Sequence, residues 1–251
     1  MTLQRAYDII GDIAVVNVEP ELEKGMAERV MAQNKNVKVV VNKVGKTSGI
    51  ERVQQVRVIA GEKRTETLHR ENGCRFMLDI NKVFFTQRLS NERLRVVGQV
   101  KDGETVVDMF AGVGPFSILA AKRNPGCEVY AIDINDNAAG YLKENIKLNK
   151  VGNVVALWGD AKEVCGKLGR VADRVIMNLP ESSAEFLECA KVVAKPRAVV
   201  HFYCFLTDEE LFDAGVKKIK KVFPKARIKD KVICGEKAPG IHRVCIDFRV
   251  G

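Results

Sequence analysis

The sequence predicts an α/β protein: a doubly wound, mostly parallel sheet with an antiparallel ending, preceded by a small α+β domain. Three observations lead there. From Lys101 onward, short apolar runs alternate with helical stretches of about a dozen residues, the rhythm that requires parallel strands joined by crossover helices. One of those runs, Val106 to Phe110, enters a glycine-rich turn, Ala111-Gly112-Val113-Gly114, with a helix-forming segment behind it. Before Lys101 the strand-like runs are short, closely spaced and separated by turn residues.

In the first domain, residues 1–98, β-branched residues place strands at Ala14–Val18 and Val37–Val41. Between them Leu22, Met26 and Val30 recur on one helical face. Pro20 suits the first turn of that helix, where its missing N–H would have no intrahelical partner. Strands at Val53–Ile59 and Glu66–His69 follow, and Asn72-Gly73 is a two-residue hairpin signal leading into Arg75–Asp79. The second domain, residues 99–251, places strands at Thr105–Phe110, Glu128–Asp133, Val154–Trp158, Ala172–Asn178 and Ala198–Tyr203. Helices such as Asp136–Asn149 and Ser182–Val193 fall between them. The tail reads as two extended runs, Ala226–Cys234 and His242–Val250, around Pro239-Gly240.

The 251 residues, 46% hydrophobic and 29% charged, suffice for a real core. A formal net charge of +9 points to an acidic partner and favours nucleic acid. The densest basic cluster, Lys217-Lys218-Ile219-Lys220-Lys221, shares a helix with Leu211, Val216, Ile219 and Val222, so a solvated face is favoured over an RNA contact. The seven cysteines stand singly, without C-x-x-C spacing or a nearby histidine, which predicts reduced thiols in a cytosolic compartment and no structural zinc. Every apolar run is far shorter than a bilayer crossing needs.

The chemistry concentrates at the ends of successive strands. Asp108 precedes the glycine-rich turn, where a carboxylate suits a cationic amine and repels a pyrophosphate. Asp133 ends the second strand, placed for a bidentate grip on a ribose diol; Asp136 is the better candidate to cap the following helix. Asp160 follows the third strand, where it can accept from an adenine amino group. Three acids after three strands favour S-adenosylmethionine over NAD. With their neighbours Phe110, Gly112, Gly114, Pro115, Phe116, Ile134 and Ala161 they form the expected cofactor site. After the fourth strand, Asn178-Leu179-Pro180 offers an amide with donor and acceptor beside a stiffened turn, so Asn178 is expected at both cofactor and catalytic pocket.

At these residues the chain resembles the archaeal and eukaryotic-type tRNA (guanine-N1)-methyltransferases, which modify the guanosine immediately 3′ of the anticodon. The resemblance covers essentially the whole chain. It is carried by Asp108 to Ser117, by Asn178-Leu179-Pro180, by His69-Arg70-Glu71-Asn72-Gly73 and by Arg88-Leu89-Ser90-Asn91-Glu92-Arg93. It implies a Rossmann-like class I methyltransferase domain, S-adenosyl-L-methionine as cofactor and tRNA as partner; the single cysteines point to a cytoplasmic protein, and no exposed apolar repeat suggests a partner subunit, so a monomer is expected. Residue by residue, Glu92 is implied as general base, Arg52 as the contact to the target guanine, Asn178 and Pro180 as the methyl-transfer pocket, and Arg88 and Arg93 as RNA contacts. Without the resemblance, Glu92 reads as a first-turn helix acid, and Arg57 competes with Arg52 for the guanine. Phe84 stands where the family usually has tyrosine, and Thr86-Gln87 replaces a polar residue followed by proline. The chain also begins at what resembles the family's middle domain, so the resemblance leads one to expect a form lacking the extra N-terminal domain.

The implied chemistry is coherent. Guanine N1 carries a proton and is a poor nucleophile until a base removes it; a guanidinium then stabilises charge gathering toward O6. Two rivals share the fold: aminocarboxypropyl transfer to a wybutosine precursor, against which Asn178-Leu179-Pro180 argues, and methylation of the tricyclic precursor as well as of guanosine. A non-catalytic RNA-binding module with a vestigial fold is disfavoured by the intact Asp108, Asp133, Asp160 and Asn178.

Overall fold

The computed structural model describes residues 7–45, 53–210 and 212–251. Strands β1 (Tyr7–Ile10) and β2 (Ile13–Val16) pair antiparallel, and helix α1 (Glu23–Gln33) carries the chain to β3 (Val39–Lys43). Strand β3 lies parallel to β2 and antiparallel to β4 (Val56–Gly61), giving one sheet in the order β1-β2-β3-β4. Ala14, Val16, Val30 and Val40 pack between this sheet and α1. Leu22 does not join them. Pro20–Leu22 is a 3₁₀ turn ahead of α1, whose tighter winding takes Leu22 off the α-helical stripe, and its side chain is 60% exposed while Ala27 and Val30 are buried.

A hairpin follows, β5 (Glu66–Glu71) and β6 (Cys74–Asp79). Its turn residues Asn72 and Gly73 have φ of 52° and 76°, the doubly left-handed conformation whose twist matches that of the flanking strands. Helix α2 (Ser90–Val97) then leads into the larger unit. There β7 (Thr105–Asp108), α3 (Pro115–Arg123), β8 (Glu128–Asp133), α4 (Asp136–Asn149), β9 (Val154–Trp158), α5 (Ala161–Leu168), β10 (Ala172–Met177), α6 (Leu187–Val193) and β11 (Ala194–Thr207) alternate. Helix α7 (Asp213–Val222) precedes the final pair, β12 (Arg227–Ala238) and β13 (Ile241–Arg249).

These seven strands form one sheet in the order β12-β13-β11-β10-β7-β8-β9. Strands β7 to β11 run parallel, and β13 is antiparallel to both β11 and β12. Strand β11 is longer than its apolar run predicts because the ladder from Val199↔Arg249 to Thr207↔Ile241 keeps its end extended. Strand β7 stops at Asp108, short of Phe110, because the backbone turns at once toward α3. The chain leaves β7 through β8 to β9 and returns on the other side at β10, so the order reverses between β7 and β10. Such reversal points open a crevice beyond the carboxyl ends of the strands.

Helices α2, α3 and α4 cover one face of this sheet together with the hairpin, and α5, α6 and α7 cover the other. On α7, Lys217, Lys218, Lys220 and Lys221 are exposed and Ile219 is fully buried, as expected of a solvated face; Leu211 lies outside the described residues. The hairpin is locked to the large unit by two buried asparagines one turn apart on α4. Asn145 accepts from Met77 N at 2.7 Å and donates to Met77 O, and Asn149 does the same for Arg75 at 2.8 and 2.6 Å. Their amides replace the neighbouring strand that β6 lacks on that edge.

Candidate cofactor and methyl-transfer site

A cavity of about 480 Å³ opens at the carboxyl ends of the parallel strands, a size that suits a nucleoside-type ligand. The β7–α3 turn contributes Phe110, Gly112, Pro115 and Phe116; the end of β8 contributes Asp133 and Ile134; the start of α5 contributes Asp160 and Ala161; and the segment after β10 contributes Asn178, Leu179 and Pro180. The wall opposite the sheet is made by Phe84, Phe85, Thr86, Leu89 and Arg93.

The two glycines of the turn do different work. Gly112 has φ +55° and its N–H donates to Asp133 Oδ2 at 2.7 Å, tying the first strand end to the second. Asp133 Oδ1 accepts from Asn135 N at 2.9 Å, so the carboxylate is clamped by two backbone donors while facing the cavity. Gly114, with φ +90°, does not line the cavity: a Cβ there would lie 2.5 Å from Leu142 Cδ1 and 3.0 Å from Ile118 Cδ1. It is required by the turn and by the packing of α3 against α4.

Asp108 lies beneath the cavity, with no exposed surface. Its Oδ2 accepts from Ser117 Oγ at 2.7 Å, and Oδ1 finds no hydrogen-bond partner among the described residues. Burial pushes the carboxyl up to about 7, and the Ser117 hydroxyl only partly opposes this. An orphaned buried carboxylate oxygen under a ligand cavity is a place for a cation. Asp160 lines the cavity and also caps α5 through Lys162 N at 2.8 Å. The cap of α4 is Asn135, which accepts from Asn137 N and Ala138 N, and not Asp136, which is already the first helical residue.

The TRM5/TYW2 methyltransferase domain matches residues 67–232, and the TYW2 N-terminal domain matches residues 1–65. The tRNA (guanine(37)-N(1))-methyltransferase Trm5b of Pyrococcus abyssi is 44% identical over 99% of this chain and 76% of its own length. A solved complex of aTrm5 with tRNALeu superposes with a TM-score of 0.88 at 34% identity, covering 99% of this chain and 72% of that one. The tRNA(Phe) (4-demethylwyosine(37)-C(7)) aminocarboxypropyltransferase of Methanocaldococcus jannaschii is 35% identical over 97% of both chains.

The chain belongs to the TRM5/TYW2 methyltransferase family.

In this member of the TRM5/TYW2 family the donor set fits S-adenosylmethionine: an unpartnered carboxylate oxygen for a cationic group, a clamped carboxylate for a diol, and apolar Phe110, Ile134 and Ala161 around them. Eleven of the residues expected at the site line one cavity: Arg93, Phe110, Gly112, Pro115, Phe116, Asp133, Ile134, Asp160, Ala161, Asn178 and Pro180. Arg93, 2% exposed, commits its charge to Glu71 through two contacts of 2.7 and 2.8 Å, donates to Thr86 O, and lies over the rings of Phe85 and Phe116. It braces the wall. Arg88 is outside the cavity, paired with Asp8 at 2.8 Å. Arg52 lies outside the described residues.

Glu92 does not line the cavity. It is 6% exposed and one layer behind the wall, accepting from Tyr203 Oη, Arg95 Nε and Arg95 Nη2, all at 2.7 Å. Tyr203 in turn stacks edge-on against the cavity residue Phe116, with ring centroids 6.2 Å apart. Sequence reasoning missed Arg243, which lines the cavity from β13 and lies over Phe205 at 5.6 Å. It also missed Arg95, His201 and Asp247; for the last two the signal was a polar or charged residue inside the otherwise apolar runs Val199 to Tyr203 and Val244 to Phe248. The fold brings His201, Cys245 and Asp247 within 4.8 Å of one another. Arg95 and Arg174 both donate into this group, so it is built as a hydrogen-bonded ion network.

Proposed function

We propose that the protein transfers a methyl group from S-adenosylmethionine to N1 of guanosine 37 in tRNA, the activity named for its Pyrococcus abyssi relative. The observation that carries the reading is the joining of Asp133, Asp160, Asn178 and Pro180 in one cavity above Asp108, in a chain of this family. When bound, the cofactor supplies an electrophilic methyl group on a sulfonium. Asp133 would hold its ribose hydroxyls, Asp160 its adenine, and Asp108 would offset its positive charge. Asn178 and Pro180 form the stiff edge against which the target base is oriented.

Glu92 is the proposed acceptor of the N1 proton. A carboxylate offers about four acceptor sites; three are filled here by Tyr203 and Arg95, which leaves one. Helix α2 also supplies Arg93, the residue after Glu92, to the cavity wall, which supports this reading. Arg52 remains the proposed guanine contact, and Arg88, with its side chain 67% exposed, a proposed RNA contact in exchange for Asp8. We divide the chain into a substrate domain, 1–98, and a cofactor domain, 99–251, coupled by the hairpin on α4. The proposed setting is a monomer in the cytoplasm. No described helix is long and apolar enough to cross a membrane.

A second reading is aminocarboxypropyl transfer to, or methylation of, a wyosine-type precursor at the same position. It is favoured by the match of residues 1–65 to the TYW2 N-terminal domain and by the 35% identity to the M. jannaschii aminocarboxypropyltransferase over 97% of both chains. Incubation with labelled S-adenosylmethionine and unmodified tRNA, followed by nucleoside mass analysis, separates them. N1-methylguanosine supports the first reading, an aminocarboxypropyl adduct or a product only from precursor-bearing tRNA supports the second, and no product on either RNA overturns both.

A further inference from the structure

A column of buried polar groups descends from the cavity wall along the sheet face that α2 covers. Register places Phe205 beside Arg243 at the top, Tyr203 beside Cys245 in the middle, and His201 beside Asp247 below. Helix α2 lies across these rungs. Arg95 turns Nε and Nη2 toward Glu92, at 2.7 Å each, and Nη1 toward Asp247 at 2.6 Å. Asp247, 1% exposed, also accepts from His201 Nδ1 at 2.7 Å and from Gln99 Nε2 at 3.1 Å.

The state of His201 follows from its neighbours. An arginine can only donate, so the His201 Nε2 that meets Arg174 Nη1 at 2.8 Å accepts, and the ring proton is on Nδ1 and donated to Asp247. Burial lowers the imidazole below its ordinary range, in keeping with a neutral ring. Burial alone would raise the Asp247 carboxyl, but the His201 bond and the Arg95 guanidinium hold it well below the usual carboxylate range. Arg174 is tied to Glu104 at 2.8 Å and to Gln99 O at 2.7 Å, which closes the base of the column. Arginines do not give up protons, so the column cannot carry one away from the site. It holds geometry.

We propose that Asp247, acting through Arg95, is a positioning residue for Glu92. The inference rests on the reading of Glu92 as the proton acceptor. One planar guanidinium shared by two carboxylates fixes both distance and angle between them, and Asp247 is anchored to the sheet by His201. Without Asp247, Arg95 has a competing partner at the surface: Asp230, whose side chain is 57% exposed, is 3.7 Å from Nη1. A guanidinium drawn outward takes Glu92 with it, and a shift of about 1 Å at a reacting group can cost on the order of a hundredfold in rate.

The test is a double-mutant cycle read as single-turnover methyl transfer to tRNA. Asp247→Asn is expected to slow the step about tenfold to a hundredfold while cofactor Kd and tRNA KM stay within about threefold, a split that general loosening of the fold would not produce. In the Glu92→Gln background, Asp247→Asn is expected to add nothing, because groups that act as one unit are non-additive. Arg95→Lys keeps the charge, loses the shared fork and replaces Asp247→Asn in the cycle if that variant does not fold. A wild-type rate in Asp247→Asn, or its full effect persisting in the double mutant, overturns the proposal while the role of Glu92 stands. A wild-type rate in Glu92→Gln overturns the role of Glu92 and the proposal with it.

Discussion

Replacing Asp108 by asparagine tests the cofactor site without needing substrate. The carboxyl is fully buried and pushed from an ordinary 3.8 up to about 7 by desolvation. An acid raised in this way holds, in the native state, a proton that the unfolded chain releases. Its contribution to stability is therefore complete below about pH 4 and is lost as pH rises through 7. Between pH 5 and pH 7 the loss is about 1.4 kcal/mol per pH unit, or roughly 3 kcal/mol, and above pH 7 it levels off. Asparagine keeps an oxygen to accept from Ser117 Oγ and removes the titration. Urea unfolding of ligand-free protein at pH 5 and pH 8 should therefore show the wild type losing about 3 kcal/mol more than Asp108→Asn. At pH 8 the variant should be the more stable protein, yet calorimetric titration should show weakened S-adenosylmethionine binding. Stabilities that change in parallel with pH would refute the argument that the orphaned oxygen sits unsatisfied until a cation arrives.

Three further outcomes are expected. Asp133→Ala removes the clamped carboxylate and should weaken cofactor binding by at least about tenfold, one good charge-assisted hydrogen bond; emission of Trp158, the sole tryptophan, reports it because its indole donates to the carbonyl of cavity residue Ile134. Glu92→Gln should lower the single-turnover rate by about 10² to 10⁴ and leave cofactor affinity nearly unchanged; lost cofactor binding would move Glu92 out of the base role. Gly114→Ala places a Cβ 2.5 Å from Leu142 at a left-handed φ and should cost about 1–3 kcal/mol in thermal or urea unfolding, whereas neutrality would mean that α3 and α4 yield more readily than their packing indicates.

The fold was legible because its signals are local. The Asn72-Gly73 turn, the period-two runs and the Gly112 to Pro115 turn each encode a backbone conformation within a few residues, and the hairpin and the β7–α3 crossover form where those residues dictate. Leu22 and Asp136 were misread for the same reason: a shift of one residue at a helix start, from α to 3₁₀ winding or from cap to first turn, changes which side chain is buried or bonded. The cofactor end of the site was also readable, since strand ends in a parallel sheet converge wherever the order reverses.

By itself, then, the sequence determined the alternation of strands and helices, the order-reversing sheet and the acids at its carboxyl ends, because each depends on neighbours in the chain or on a rule of topology. Tertiary structure decided what those groups face. It buried Asp108 beneath the cavity instead of within it, spent the charge of Arg93 on Glu71, and set Asn145 and Asn149 against a strand edge 68 and 74 residues away. It also joined Glu92 to Asp247 through Arg95, a contact across 152 positions of sequence. The energy of a buried charge depends on the partners and dielectric around it, and those are supplied only when distant segments pack together.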